Sequence, residues 1–276
     1  MNERARGNAA APVAMITGAG RGIGRATAIA LADAGFAVGL VARTRTELET
    51  TAAEVKQRGG EQFVAVADVT DTRSVAEAVT GIEQHLSDID LLVNNAGTMN
   101  AIGPVWEVDA DDWWTDVKTS LRGTFICCQA VVPGMISRKR GRIVNLTSYA
   151  AVRPSPYQSG YSAGKAGVVS LTEALAASLE SHGVSAFAVA PAFTDTKMTR
   201  TARDSAVAAR WLPRLGEHGT VDAARSAALI TWLAKGFGDV LSGRLVHTLD
   251  DVEALVERFD EVLRLDLYAP RLRRLD

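Results

Sequence analysis

The sequence predicts an α/β fold: one doubly wound parallel sheet of about seven strands, with helices on both faces. Three observations predict it. Short apolar runs alternate with amphipathic stretches along nearly the whole chain. Most of the runs lack polar alternation, so each strand is buried on both faces, as in a parallel sheet covered by helices. A glycine-rich turn separates the first run from the first helical stretch.

The elements follow in βα order. The run at 13–16 gives way to the glycine turn and a helical stretch at 23–34. The run at 37–42 precedes a helix at 47–58, 63–66 precedes 73–86, and 91–94 precedes 110–137. The run at 143–146 precedes a helix at 161–181. After 185–190 the rhythm breaks: 198–219 has no clear strand, and helical spacing returns at 222–234. The run at 244–248 ends the alternation. The charged tail at 250–276 carries Leu255, Phe259, Val262 and Leu263 at helical spacing, so its first part is an amphipathic helix. Its basic end reads as solvated or as a subunit contact. The chain divides into a disordered lead-in at 1–11, a domain at 12–249 with a lid over about 193–219, and the tail.

Composition bounds the function. The 276 residues, 47% apolar and 22% charged, exclude a disordered chain and a collagen-like fibre. A net charge of −2 gives no basic excess for nucleic acid. No apolar run reaches the ~18–20 residues of a membrane span. The opening MNERARGNAAAP lacks the apolar stretch of a signal peptide, so cytoplasmic residence is expected. Cys127 and Cys128 are adjacent in a helical stretch and read as small buried hydrophobes. With four scattered histidines they make no metal site.

The turn is Thr17-Gly18-Ala19-Gly20-Arg21-Gly22-Ile23-Gly24. Its glycines let backbone N–H groups approach a pyrophosphate at the positive end of a helix dipole. The second strand ends Val41-Ala42-Arg43-Thr44, without the carboxylate that would hold the ribose hydroxyls of NAD. Arg43 offers a planar cation to a 2′-phosphate, and Arg21 reaches the same group from the turn. The preferred cofactor is therefore NADP, with NAD as the alternative.

Tyr161 and Lys165 are four apart in a helical stretch and share a face. An ammonium beside a phenol lowers the phenol's pKa, so that it can exchange a proton with an alcohol oxygen. Ser148 lies just past the fifth strand, at the sheet edge where ligands of such folds gather. Its hydroxyl can bond a carbonyl that is becoming an alkoxide.

With these residues in view, the chain resembles the short-chain dehydrogenase/reductase family. The matching pieces are TGAGRGIG at 17–24, Asp68-Val69, Asn94-Asn95-Ala96-Gly97, Asn145-Leu146-Thr147-Ser148 and Tyr161-Ser162-Ala163-Gly164-Lys165. The resemblance spans about 12–248 and implies a single-domain Rossmann fold, a nicotinamide cofactor and alcohol–ketone interconversion. It implies that Ser148 orients the substrate oxygen, Tyr161 is the acid/base, and Lys165 tunes Tyr161 and binds the nicotinamide ribose. The adenine end falls to Asp68 and Val69, and the central strand to Asn94. Asn95, Ala96 and Gly97 border the cofactor. Pro191, Thr194 and Thr196 meet the nicotinamide.

Three departures stand out. Ser120 occupies the position of the family's fourth catalytic residue, an asparagine that supports a relay water; serine fills part of that role. Ala192 follows Pro191 where the family has glycine. His247-Thr248-Leu249-Asp250-Asp251 replaces the family's usual ending, the strand end on which the family builds a tetramer contact; the expected assembly is a homodimer or homotetramer. The substrate is a small alcohol or ketone, apolar or aromatic, facing Trp106, Tyr149, Tyr157, Phe193, Met198, Trp211 and Leu212. The competing readings are a non-redox nucleotide-binding protein and an isomerase or lyase using the same site.

Overall fold

A computed structural model describes residues 11–153, 155–217 and 219–271. The expected lead-in at 1–11, all but its last residue, and the last five residues of the tail lie outside the described residues. The strands are β1 (Val13–Thr17), β2 (Ala37–Ala42), β3 (Gln62–Val66), β4 (Ile89–Asn94), β5 (Gly141–Leu146), β6 (Val184–Ala190) and β7 (Leu245–His247). They form one parallel sheet in the order β3-β2-β1-β4-β5-β6-β7. The chain builds outward from β1 to β3, then crosses back to begin again at β4. The carboxyl ends of β1 and β4 therefore flank a crevice that no crossover covers.

The helices are α1 (Gly22–Asp33), α2 (Arg45–Gln57), α3 (Thr72–His85), α4 (Ala110–Val117), α5 (Gly123–Arg138) and α6 (Ser159–Leu179), followed by α7 (Lys197–Arg203), α8 (Ala206–Trp211), α9 (Ala223–Ala234), α10 (Val252–Glu257) and α11 (Phe259–Arg264). Alternate residues of β1 serve opposite layers. Val13 and Met15 pack with α3, α5 and α6; Ala14 and Ile16 pack with α1, α2 and α9. Met15, Ile16, Leu40, Ile143 and Phe187 are fully buried, each worth ~1.5–3 kcal/mol of apolar transfer.

Three expectations are refined. The long helix at 110–137 is two helices joined through a π-helical turn, Lys118–Arg122. The irregular stretch at 198–219 holds α7 and α8. The tail helix is broken at Arg258 into α10 and α11. In the tail, Val252, Leu255, Val256 and Phe259 join the α1/α9 layer and Val262 is buried, whereas Leu263 is half exposed. The tail then lies along the sheet edge: Leu245 N donates to Tyr268 O at 2.8 Å, and Arg244 pairs with Asp266 at 2.7 Å. No helix among the described residues is long and apolar enough to cross a membrane.

Candidate active site

A groove of about 750 Å³ opens along the carboxyl edge of the sheet, over the β1/β4 crevice. Of the catalytic and cofactor-binding residues expected from the sequence, all but Gly24, Asn94 and Ser120 line it. Gly24 lies behind the turn, where a Cβ would stand 2.2 Å from Gly18 O. Its glycine therefore serves the packing of α1 on the turn.

The turn is built for close approach. Gly18 (φ +66°) and Gly22 (φ +54°) hold the left-handed backbone that L side chains avoid. The Asn95 amide donates to Thr17 O at 2.9 Å and Gly18 O at 3.2 Å, so Asn95 props the turn from behind. The Thr17 hydroxyl accepts from Asn95 N and Ala96 N at 3.0 and 3.1 Å, fastening β1 to the end of β4. Side chains cap α3, α4 and α9, but the Arg21 side chain makes no capping bond on α1. The first-turn N–H groups of α1 thus remain for an anion, and the residues present fit a dinucleotide pyrophosphate.

The adenosine end is more mixed than the sequence suggested. Arg43 is exposed at the rim. Arg21 is paired with Glu47, Nη1 to Oε1 at 3.0 Å, and Lys197 approaches the same oxygen at 3.7 Å. Glu47 is the residue that reading the strand end missed, because it lies one helical turn further on. Asp68 Oδ1 accepts from Thr70 N and Thr70 Oγ1, both at 2.8 Å, which leaves Oδ2 unengaged by them. Burial pushes the Asp68 carboxyl up, but the Thr70 bonds, Arg43 and Lys118 outweigh it and hold it below the usual carboxylate range.

At the other end, Ser148, Tyr161 and Lys165 converge. Buried polar contacts fix their helix to β5: Asn94 Nδ2 donates to Asn145 Oδ1 at 2.9 Å, and Asn145 Nδ2 donates to Thr172 Oγ1 at 2.9 Å. Thr147 Oγ1 donates to Lys165 O at 2.9 Å, and Lys165 Nζ donates to Leu146 O at 2.7 Å. Nζ lies 5.9 Å from the Tyr161 ring centroid, on the shared face the spacing predicted. Burial lowers the Lys165 pKa to about 8. The expectation of an acidified phenol is corrected here. Burial raises the Tyr161 pKa above its ordinary value; the Ser148 hydroxyl opposes that and the Asp116 carboxylate adds to it.

Ser120 sits on the π-helical turn, wholly buried beneath Gly97, and its Oγ has no partner among the described residues. A Cβ on Gly97 would stand 3.7 Å from Ser120 Oγ and 3.5 Å from Lys165 Nζ. Ala192 is not among the residues at positive φ, and its N–H donates to Thr248 Oγ1 at 2.9 Å, so its methyl introduces no backbone strain. Thr196 spends its hydroxyl capping α7, where it accepts from Thr199 N at 3.2 Å, and turns its methyl toward Gly22. Thr194 Oγ1 donates to Ala192 O at 2.8 Å.

Of the expected substrate-facing residues, Tyr149, Phe193 and Met198 line the groove. Trp106 is instead 81% exposed, and the Tyr157 and Trp211 rings pack tilted against each other, centroids 4.9 Å apart. His247, Leu249 and Asp250 line the groove as well, with His247 edge-on to Tyr149 at 5.6 Å.

The short chain dehydrogenase family model matches residues 12–206. A 3-oxoacyl-acyl-carrier-protein reductase of Synechocystis sp. is 41% identical over 191 residues, which cover 68% of this chain and 76% of that protein. The FabG reductase of the same activity from Staphylococcus epidermidis is 33% identical over 85% of this chain and 96% of its own length. Among solved structures, levodione reductase matches with a TM-score of 0.79 at 30% identity, covering 86% of this chain and 95% of that one. An actinorhodin polyketide ketoreductase with NADPH matches with a TM-score of 0.80 at 27% identity, covering 88% and 97%. Family match, sheet order and glycine turn agree: this chain belongs to the short-chain dehydrogenase/reductase family and is an oxidoreductase.

Proposed function

We propose that this protein is an NADPH-dependent ketoreductase that converts a 3-oxoacyl-type ketone to the secondary alcohol. The observation that carries the reading is the convergence of Ser148, Tyr161 and Lys165 on the groove that begins at the glycine turn. The 3-oxoacyl reductase relatives and the NADPH-bound ketoreductase support its chemistry.

When bound, the nicotinamide cofactor supplies the hydride that reduces the carbonyl carbon. Ser148 donates a hydrogen bond to the substrate oxygen. Tyr161 gives its phenolic proton to that oxygen as charge develops on it. With its pKa near 8, Lys165 is mainly protonated at neutral pH and presents its charge to the cofactor ribose and the phenol. Ser120, buried behind Gly97, supports the proton relay from below. Gly18, Gly20, Gly22 and Ile23 receive the pyrophosphate. Arg43 and Arg21 take the 2′-phosphate, and Asp68 and Val69 take the adenine. Ala96, Gly97, Pro191, Thr194 and Thr196 border the nicotinamide. Tyr149, Phe193, Met198 and Leu249 form an apolar wall for the acyl chain. The segment at 193–219 closes as a lid that excludes water. A second copy of the chain covers the apolar face of Trp114, Val117, Leu121, Phe125 and Leu171.

The test is a binding titration with NADPH and with NADH, followed by absorbance at the nicotinamide band with acetoacetyl thioester. The expected result is tighter binding of NADPH and loss of its absorbance as substrate is added. Binding of neither nucleotide, or binding with no redox change across a ketone panel, contradicts the reading.

A further inference from the structure

Asp116 is the one carboxylate fully buried among the described residues, at 0% exposure on the last turn of α4. Its oxygens act only as acceptors. Asn100 N donates to both, each at 2.9 Å, and Ala101 N donates to Oδ2 at 3.0 Å. Those amides belong to the loop that leaves β4, and the start of that loop, Asn95–Thr98 in sequence, lines the groove. Across from Asp116 runs α6, brought close by glycines. A Cβ on Gly164 would meet Ser120 Cβ at 3.1 Å and Asp116 O at 3.3 Å. Tyr161 and Lys165 flank that contact on the same helix. A buried carboxylate is costly unless hydrogen-bonded, and its field is weakly screened where water is excluded.

We propose that Asp116 is a positioning residue of the reaction: its carboxylate pins the loop after β4, and its buried charge biases proton exchange at Tyr161 toward donation. The proposal rests on Tyr161 as the proton-exchanging group. Tyr161 is faced by Lys165 from its own helix, by Asp116 from α4 and by the Ser148 hydroxyl from the loop after β5. His247 of β7 lies edge-on to Tyr149, and Lys118 of the π-helical turn acts on Asp68. Among these the negative charge acting on the phenol is that of Asp116, and burial acts in the same direction.

The test titrates Tyr161 directly. The tyrosinate absorbance of the wild type minus that of Tyr161→Phe isolates this phenol without any substrate. The same difference is then taken in an Asp116→Asn background. An amide keeps the shape and one acceptor, so a purely structural role leaves the titration in place. The proposal expects Tyr161 to ionise lower by on the order of one pH unit, the effect of removing a nearby unit charge at moderate effective dielectric. Asp116→Glu, which keeps the charge, is expected to retain the wild-type titration. Should the asparagine variant not fold, Asp116→Ser carries the same expected shift. An unchanged titration in a folded neutral variant overturns the proposal. Reduction of acetoacetyl thioester with NADPH is followed in parallel, and its alkaline limb is expected to move down in pH with the phenol. If neither protein turns over, the ketoreductase reading fails, while the tyrosinate titration still decides the role of Asp116.

Discussion

Tyr161 and Lys165 share one face of α6, with the ammonium nitrogen 5.9 Å from the phenol ring centroid. Their spacing gave the shared face correctly, and spacing alone favours an acidified phenol. Burial was not legible in that spacing. It raises the phenol, lowers the ammonium to about 8, and so favours the phenol as a donor. Glu47 teaches a similar lesson at the adenosine end. It was invisible to a reading of the strand terminus, yet a Cβ on Gly20 would stand 2.8 Å from Glu47 Cβ. The Arg21–Glu47 pair is partly exposed, with side chains 50% and 29% accessible, and such pairs are worth only ~0–1 kcal/mol. A 2′-phosphate therefore competes well for Arg21. Glu47→Gln is expected to tighten NADPH binding by up to about fivefold and to leave NADH binding unchanged. If isothermal titration instead shows weaker NADH binding and unchanged NADPH binding, Glu47 holds ribose hydroxyls and the cofactor is NAD.

Among the elements, α6 carries the site because its glycines let it approach its neighbours. A Cβ on Gly160 would meet Trp113 O at 2.9 Å, and one on Gly167 would meet Leu121 Cδ2 at 2.7 Å. Gly160→Ala therefore overpacks backbone, at a cost of ~1–3 kcal/mol that exceeds any helix-propensity gain near a helix start. On α5, a Cβ at Gly134 first meets only Arg138 Nη1, the tip of a flexible side chain, at 3.1 Å. There alanine gains helix propensity, up to ~1 kcal/mol. Denaturant melts are expected to show Gly160→Ala destabilised and Gly134→Ala equal to or above wild type; the reverse order refutes this packing account. The strand runs were legible to within a residue or two, because a strand buried on both faces has little polar sequence to blur it. The π-helical turn was not, since Lys118–Arg122 continues the helical pattern on either side. The break at Arg258 was equally hidden, because the apolar spacing of Leu255, Phe259 and Val262 runs through it.

For the whole molecule, the reversal of strand order between β1 and β4 places phosphate turn and proton donor on one groove. The parallel sheet was legible in the βα alternation, whereas alternation alone fits more than one strand order; the reversal that opens the groove came with the resemblance to a Rossmann fold. What the tail does was outside that logic. It runs along β7, satisfies Leu245 N through Tyr268 O, and supplies Asp250 to the groove wall beside Leu249. An edge strand covered in this way is closed to pairing with another sheet. The central claim, that this groove holds a nicotinamide cofactor beside a proton-donating tyrosine, is tested most directly by Tyr161→Phe. The measurement pairs NADPH affinity with steady-state reduction of acetoacetyl thioester. Loss of the proton donor is expected to cut turnover by ~10²–10⁴, with NADPH affinity unchanged. A variant that keeps most of its turnover, or loses NADPH binding along with it, contradicts the claim.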